Sequence, residues 1–187
     1  MRLSLVYSAA VCLGAFVGCA EKPPDAAPSK KDSPPPADKT IGTGDVQLTL
    51  TSTDGVDQRL AALKGKVVLI DCWATWCGPC VASFPKLIEK HQKYADKGLA
   101  VISVSNDDPD NAKDVLEFLQ KQKATFTNLH LSPEQPAFRW MKAKFAYDDG
   151  IPHAALFGRT GKRVWAGHPM DPALTKALEA ELAKSGG

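Results

Sequence analysis

Cys77 and Cys80 stand two residues apart in Trp76-Cys77-Gly78-Pro79-Cys80, where a strand gives way to a helix. The strand is Lys66–Trp73, a short apolar run rich in β-branched residues, and a helix is predicted from about Val81 to Ala95. Cys77 therefore falls at a helix N-terminus, beside unpaired N–H groups and the positive end of the helix dipole. That setting favours the thiolate, which is the species that attacks a disulfide. Other uses of a CxxC pair fit less well. Zinc takes four ligands, yet no cysteine follows Cys80, and His91, His130, His153 and His168 are scattered. Val81 stands where a c-type haem site needs histidine, and an iron–sulfur cluster lacks thiolates. A stable structural disulfide is the remaining alternative to a redox dithiol. No metal or other cofactor is expected.

Val67-Val68-Leu69-Ile70-Asp71-Cys72-Trp73-Ala74-Thr75-Trp76-Cys77-Gly78-Pro79-Cys80 resembles the active-site segment of the thioredoxin family. Gly150-Ile151-Pro152, followed by an apolar run from His153 to Phe157, resembles the family's cis-proline segment. Leu63-Lys64-Gly65-Lys66 and Ser103-Val104-Ser105-Asn106-Asp107-Asp108 are similar to the membrane-tethered TlpA/ResA-type thiol-disulfide oxidoreductases. The resemblance covers roughly Asp45 to Ala183. It implies a thioredoxin fold: a three-layer α/β/α arrangement with a mixed central sheet, an N-terminal strand addition and a central insertion.

The elements that must position the dithiol are legible around it. Val46–Thr51 alternates as an edge strand should, Leu99–Val104 is a second apolar run, and Asn111–Lys123 has helical spacing. Thr125–Leu129 reads as a short strand and Glu134–Phe145 as a helix. Ala154–Phe157 and Lys162–Trp165 flank the turn Arg159-Thr160-Gly161, and Pro172–Lys184 closes as a helix. Strand–helix–strand alternation followed by a hairpin gives helices on both faces of a mixed sheet.

The N-terminal stretch carries an address rather than a fold. Arg2 precedes a charge-free, largely apolar run from Leu3 to Val17, too short for an ordinary membrane span. Phe16-Val17-Gly18-Cys19 resembles a bacterial lipobox, which implies a signal peptide over 1–18, export to the cell envelope, and lipid on Cys19. An ordinary secretory signal cut near the same place is the alternative. Residues 19–44 read as a tether: Ala20–Gly44 has six prolines and no aromatic residue, so it cannot bury a core. Residues 45–187 are one domain's worth of chain. With 23 basic and 21 acidic residues and a net charge of +2, no nucleic-acid partner is expected.

The resemblance also implies roles. Cys77 attacks a substrate disulfide and Cys80 resolves the mixed disulfide. Asp71 matches the buried aspartate that shuttles the proton of the resolving cysteine; a solvated carboxylate at a strand end is its alternative. Trp76, Gly78 and Pro79 would flank the substrate, and Ile151 would offer its backbone beside a cis Pro152. Trp73 and Cys72 read as core residues. His153 either tunes the dithiol or simply packs. Ser83 and Asp148 depart from residues common in relatives. The partners implied are disulfide-bonded or dithiol proteins and a membrane electron donor or acceptor. The alternatives to a disulfide reductase are a lipid-anchored, non-enzymatic binding module and a thiol peroxidase; for the latter, Thr75-Trp76-Cys77 lacks the Thr-x-x-Cys interval.

Overall fold

In the computed structural model, residues 38–131, 137–147 and 150–184 are described. Cys12, Cys19, Asp148, the signal segment and most of the proposed tether lie outside them. Seven strands form one sheet in the order β1-β2-β5-β4-β3-β6-β7. They are β1 (Lys39–Ile41), β2 (Leu48–Thr51), β3 (Val67–Trp73), β4 (Leu99–Ser105), β5 (Thr127–Leu131), β6 (His153–Phe157) and β7 (Arg163–Gly167). β3, β4, β5 and β2 run parallel as neighbours, while β1, β6 and β7 join antiparallel. The sheet is mixed, as the thioredoxin fold requires.

All seven residues of β3 are buried, which is why its sequence is a continuous apolar run rather than an alternation. Its alternate side chains divide the core in two. Val67, Leu69 and Trp73 face one cluster, shared with α2 (Gly78–Tyr94), α3 (Ala112–Gln122) and α5 (Pro172–Ala183). Val68, Ile70 and Cys72 face the other, shared with α1 (Thr53–Ala62) and α4 (Ala137–Phe145). Two helix-covered faces give the three layers.

Several expectations need correction. Val46–Thr51 is not an edge: β2 lies between β5 and the added strand β1, whose residues the composition had assigned to the tether. The helix α1 occupies a stretch to which the sequence analysis assigns no element. Ser52 is its N-cap, its side chain accepting from the Gly55 N–H at 3.3 Å. α2 begins at Gly78 rather than Val81, since Cys77 caps it and Pro79 in the first turn needs no N–H partner. β5 starts two residues late because Ala124–Phe126 is tied into a loop by the Asn128 side chain, which donates to the Ala124 and Phe126 carbonyls. β1, β2 and β5 thus extend the sheet together on the β4 side.

Candidate active site

The dithiol is built by the β3–α2 junction. Beyond Trp73 the chain turns, closed by the Cys77 N–H donating to the Ala74 carbonyl at 3.1 Å, and α2 follows at once. Cys77 and Cys80 form a disulfide with Cα atoms 5.2 Å apart. The Cys80 N–H donates to the Cys77 Sγ at 3.2 Å, so the sulfur occupies the position of a helix-capping oxygen. No acidic residue occupies the first turn of α2 to oppose a thiolate there. Cys80 is 1% exposed and Cys77 6%, while the neighbouring Trp76 is 67% exposed and Gly78 and Pro79 are open to solvent. A Cβ at Gly78 would meet nothing within 4 Å, so this face is open.

α2 is anchored by Cys80, Phe84, Leu87 and Tyr94, spaced along one helical stripe. Beneath it Trp73 packs against Phe84 and Phe118, each with ring centroids 4.8 Å away. This aromatic base fixes the start of the helix relative to β3.

Asp71 lies on the same face of β3 as Leu69 and Trp73, and only 5% of it is exposed. Burial pushes its pKa up to about 7, opposed by the positive charge of Lys90. A cavity of about 10 Å³, roughly the room of one water molecule, separates α2 from this carboxyl. Ser83, Lys86 and Lys90 reach it from α2. The Ser83 hydroxyl donates to the Cys80 carbonyl at 3.0 Å. Lys90 is half-buried, and desolvation lowers its own pKa, countered by Glu89 and Asp71. Sequence reading names Asp71 but not Lys90; a lysine on the apolar side of α2, ten residues past Cys80, is the signal.

The Ile151–Pro152 peptide bond is cis. Ile151 packs against the cluster that holds both cysteines. His153 is paired with Cys72 across β3–β6 and faces away from the dithiol. Its Nε2 donates to the Phe145 carbonyl at 3.0 Å, and its ring meets Tyr147 edge-on. It packs; it does not approach the disulfide. Cys72 is a buried free thiol, and burial drives its pKa well above the usual value, which favours the protonated form. Among the described residues, no group of three or more His, Cys, Asp and Glu side chains could hold a metal ion.

A dithiol capping a helix, over a buried carboxyl and beside a cis-proline segment, on a mixed sheet covered on both faces, defines a protein of the thioredoxin superfamily. The chain belongs to the Redoxin family, whose profile matches residues 25–180. It is similar to the thiol-disulfide oxidoreductase ResA of Oceanobacillus iheyensis, 36% identical over 89 residues, which are 46% of this chain and 45% of that one. It is also 41% identical over 58 residues to the thioredoxin-like protein YneN of Bacillus subtilis, covering 31% and 34% of the two chains. These matches span less than half the length of the curated relatives. Among solved structures, a candidate thiol:disulfide interchange protein DsbE from Chlorobium tepidum superposes with a TM-score of 0.57 at 27% identity, over 80% of this chain and 96% of that one. A candidate thiol-disulfide oxidoreductase from Bacteroides vulgatus gives 0.53 at 29%, over 81% and 90%.

Proposed function

We propose that this protein is a thiol-disulfide oxidoreductase of the bacterial cell envelope that reduces protein disulfides. The observation that carries the reading is the Cys77–Cys80 disulfide capping α2, with a neutral-pH carboxyl buried behind it. The reduced Cys77 attacks a substrate disulfide; one sulfur of the substrate leaves as thiolate and the other joins Cys77. Cys80 then attacks the Cys77 sulfur, releasing the second substrate thiol and re-forming the observed disulfide. Asp71 accepts the Cys80 proton as that attack begins. The exposed Trp76, Gly78 and Pro79, with Ile151 and Pro152, make the docking surface. A membrane-side electron donor re-reduces the pair, and lipid on Cys19 keeps the chain at that membrane.

The direction is reducing. Pro79 has no N–H to offer the Cys77 sulfur, so the thiolate is stabilised less than in strongly oxidising relatives, and the potential lies nearer thioredoxin's ~−270 mV than the ~−120 mV of the strongest oxidant. Trapping tests the roles. Cys80→Ser should accumulate mixed disulfides with client proteins and lose turnover of insulin in the presence of dithiothreitol. Cys77→Ser should lose both. Complexes trapped by Cys77→Ser instead would reverse the assignment, and a glutathione equilibrium above about −150 mV would reverse the direction.

A further inference from the structure

The loop that carries Trp76 and Cys77 is gripped from outside its own helix. The Thr75 N–H donates to both carboxylate oxygens of Asp107, at 3.1 and 3.0 Å, and the Thr75 hydroxyl donates to the same group. Asp107 sits just past β4 and is itself buried. The Ser105 hydroxyl donates to its carboxylate at 2.8 Å, and Ser105 Oγ accepts the Asp107 N–H at 3.2 Å. A second tie runs alongside, the Asn106 N–H donating to the Trp73 carbonyl at 2.8 Å. Hydrogen bonds to a buried carboxylate are the strong ones, so this acceptor fixes the Thr75 amide more firmly than a neutral group would.

Behind Asp107 stands His130 on β5, opposite Ser105 and 0% exposed. Its Nε2 donates to the Asp107 backbone carbonyl at 3.0 Å, whereas its Nδ1 has no partner among the described residues. A fully buried imidazole satisfied at one nitrogen only costs stability relative to an apolar residue of similar size. Its one bond goes to the residue that holds the dithiol loop.

We infer that Asp107 and His130 are positioning residues for the dithiol. The imidazole on β5 fixes the Asp107 backbone, and the Asp107 carboxylate fixes the Thr75 amide that determines where Trp76 and Cys77 stand. β5 is thereby part of the site's support. This deepens the redox reading and rests on it only for the kinetic measurement below.

Two readouts in the full chain test it: hydrogen exchange of the Thr75 amide in the oxidised state, and kcat/KM for insulin reduction. Asp107→Ala should speed Thr75 exchange at least about tenfold against the β3 amides and lower kcat/KM by about tenfold, because misplacing a reacting group by a fraction of an ångström is enough. Asp107→Asn, which keeps an acceptor, should recover most of both. His130→Leu should show the same two changes more mildly, without a lower urea midpoint. If Asp107→Ala fails to fold, His130→Leu and Thr75→Val carry the test. Thr75 exchange that follows global unfolding alone, with kcat/KM of the folded protein unchanged, would overturn the inference. Should the unaltered chain reduce no insulin, the functional reading fails, and the exchange measurement still decides the positioning.

Discussion

A carboxyl group with a pKa of about 7 is divided between its two forms at neutral pH, so Asp71, as the proposed proton acceptor, should make both turnover and stability pH-dependent. Its folded pKa lies above the ordinary 3.8, because the buried neutral acid is tolerated and the buried anion is not. The acid therefore favours the folded state most below about pH 4, and that contribution is lost as pH rises through about 7. Asp71→Asn should remove this slope and raise stability at pH 8 by about 3 kcal/mol, taking ~1.36 kcal/mol per pH unit and discounting for the cavity and Lys90 beside the group. The same variant should slow resolution of the mixed disulfide about 10²-fold, as loss of a proton acceptor does. Urea unfolding at pH 5 and 8 and single-turnover kinetics measure the two effects. Equal stability slopes in the two proteins would remove Asp71 as the titrating group. Cys77 and Cys80 were legible from the strand-to-helix junction that carries them, and Asp71 from the resemblance of that same segment to the thioredoxin family. Asp107, Thr75 and His130 were not, since their association depends on the β3-β4-β5 order, which no local pattern encodes.

Among the elements, α1 shows how a local signal was outweighed. Ser52 as cap, Asp54 in the first turn, and Val56 and Leu60 four apart together spell a helix start, but Gly55 and two aspartates spell a turn equally well. Tertiary fit decides it. A Cβ on Gly55 would stand 2.0 Å from the Thr51 Oγ1 at the end of β2, so the helix can approach the sheet only with glycine there. Gly55→Ala should lower stability by about 2 kcal/mol through overpacking, despite alanine's better helix propensity. A urea midpoint at or above that of the unaltered chain would show that Thr51 can yield. The central strands were the easier reading, because β3 and β4 are buried on both faces and leave an unbroken apolar run. β1 has three residues and no apolar stripe, so only its pairing with β2 identifies it.

At the scale of the whole molecule, the proposed anchor gives a separable prediction. No helix among the described residues is long and apolar enough to cross a membrane. If lipid on Cys19 is what holds the chain at the membrane, Cys19→Ala should move the protein to the soluble fraction while insulin reduction stays within about twofold, since Cys19 is not one of the two proposed redox thiols. Absence of palmitate label on the unaltered chain would sink the lipid claim. The folded unit has a further property that follows from its strand order. β2 takes its parallel partner from β5, with Thr49 opposite Leu129 roughly 80 residues later, and β1 pairs with β2. Closing so long a loop is a slow, late event compared with forming a hairpin such as β6–β7. Until it closes, Leu48 and Leu50 present an open strand edge, the kind of surface that aggregates. In a chain threaded N-terminus first, the segment that emerges earliest waits longest for its neighbour, and the interval until β5 arrives is when the nascent protein most needs a holding chaperone.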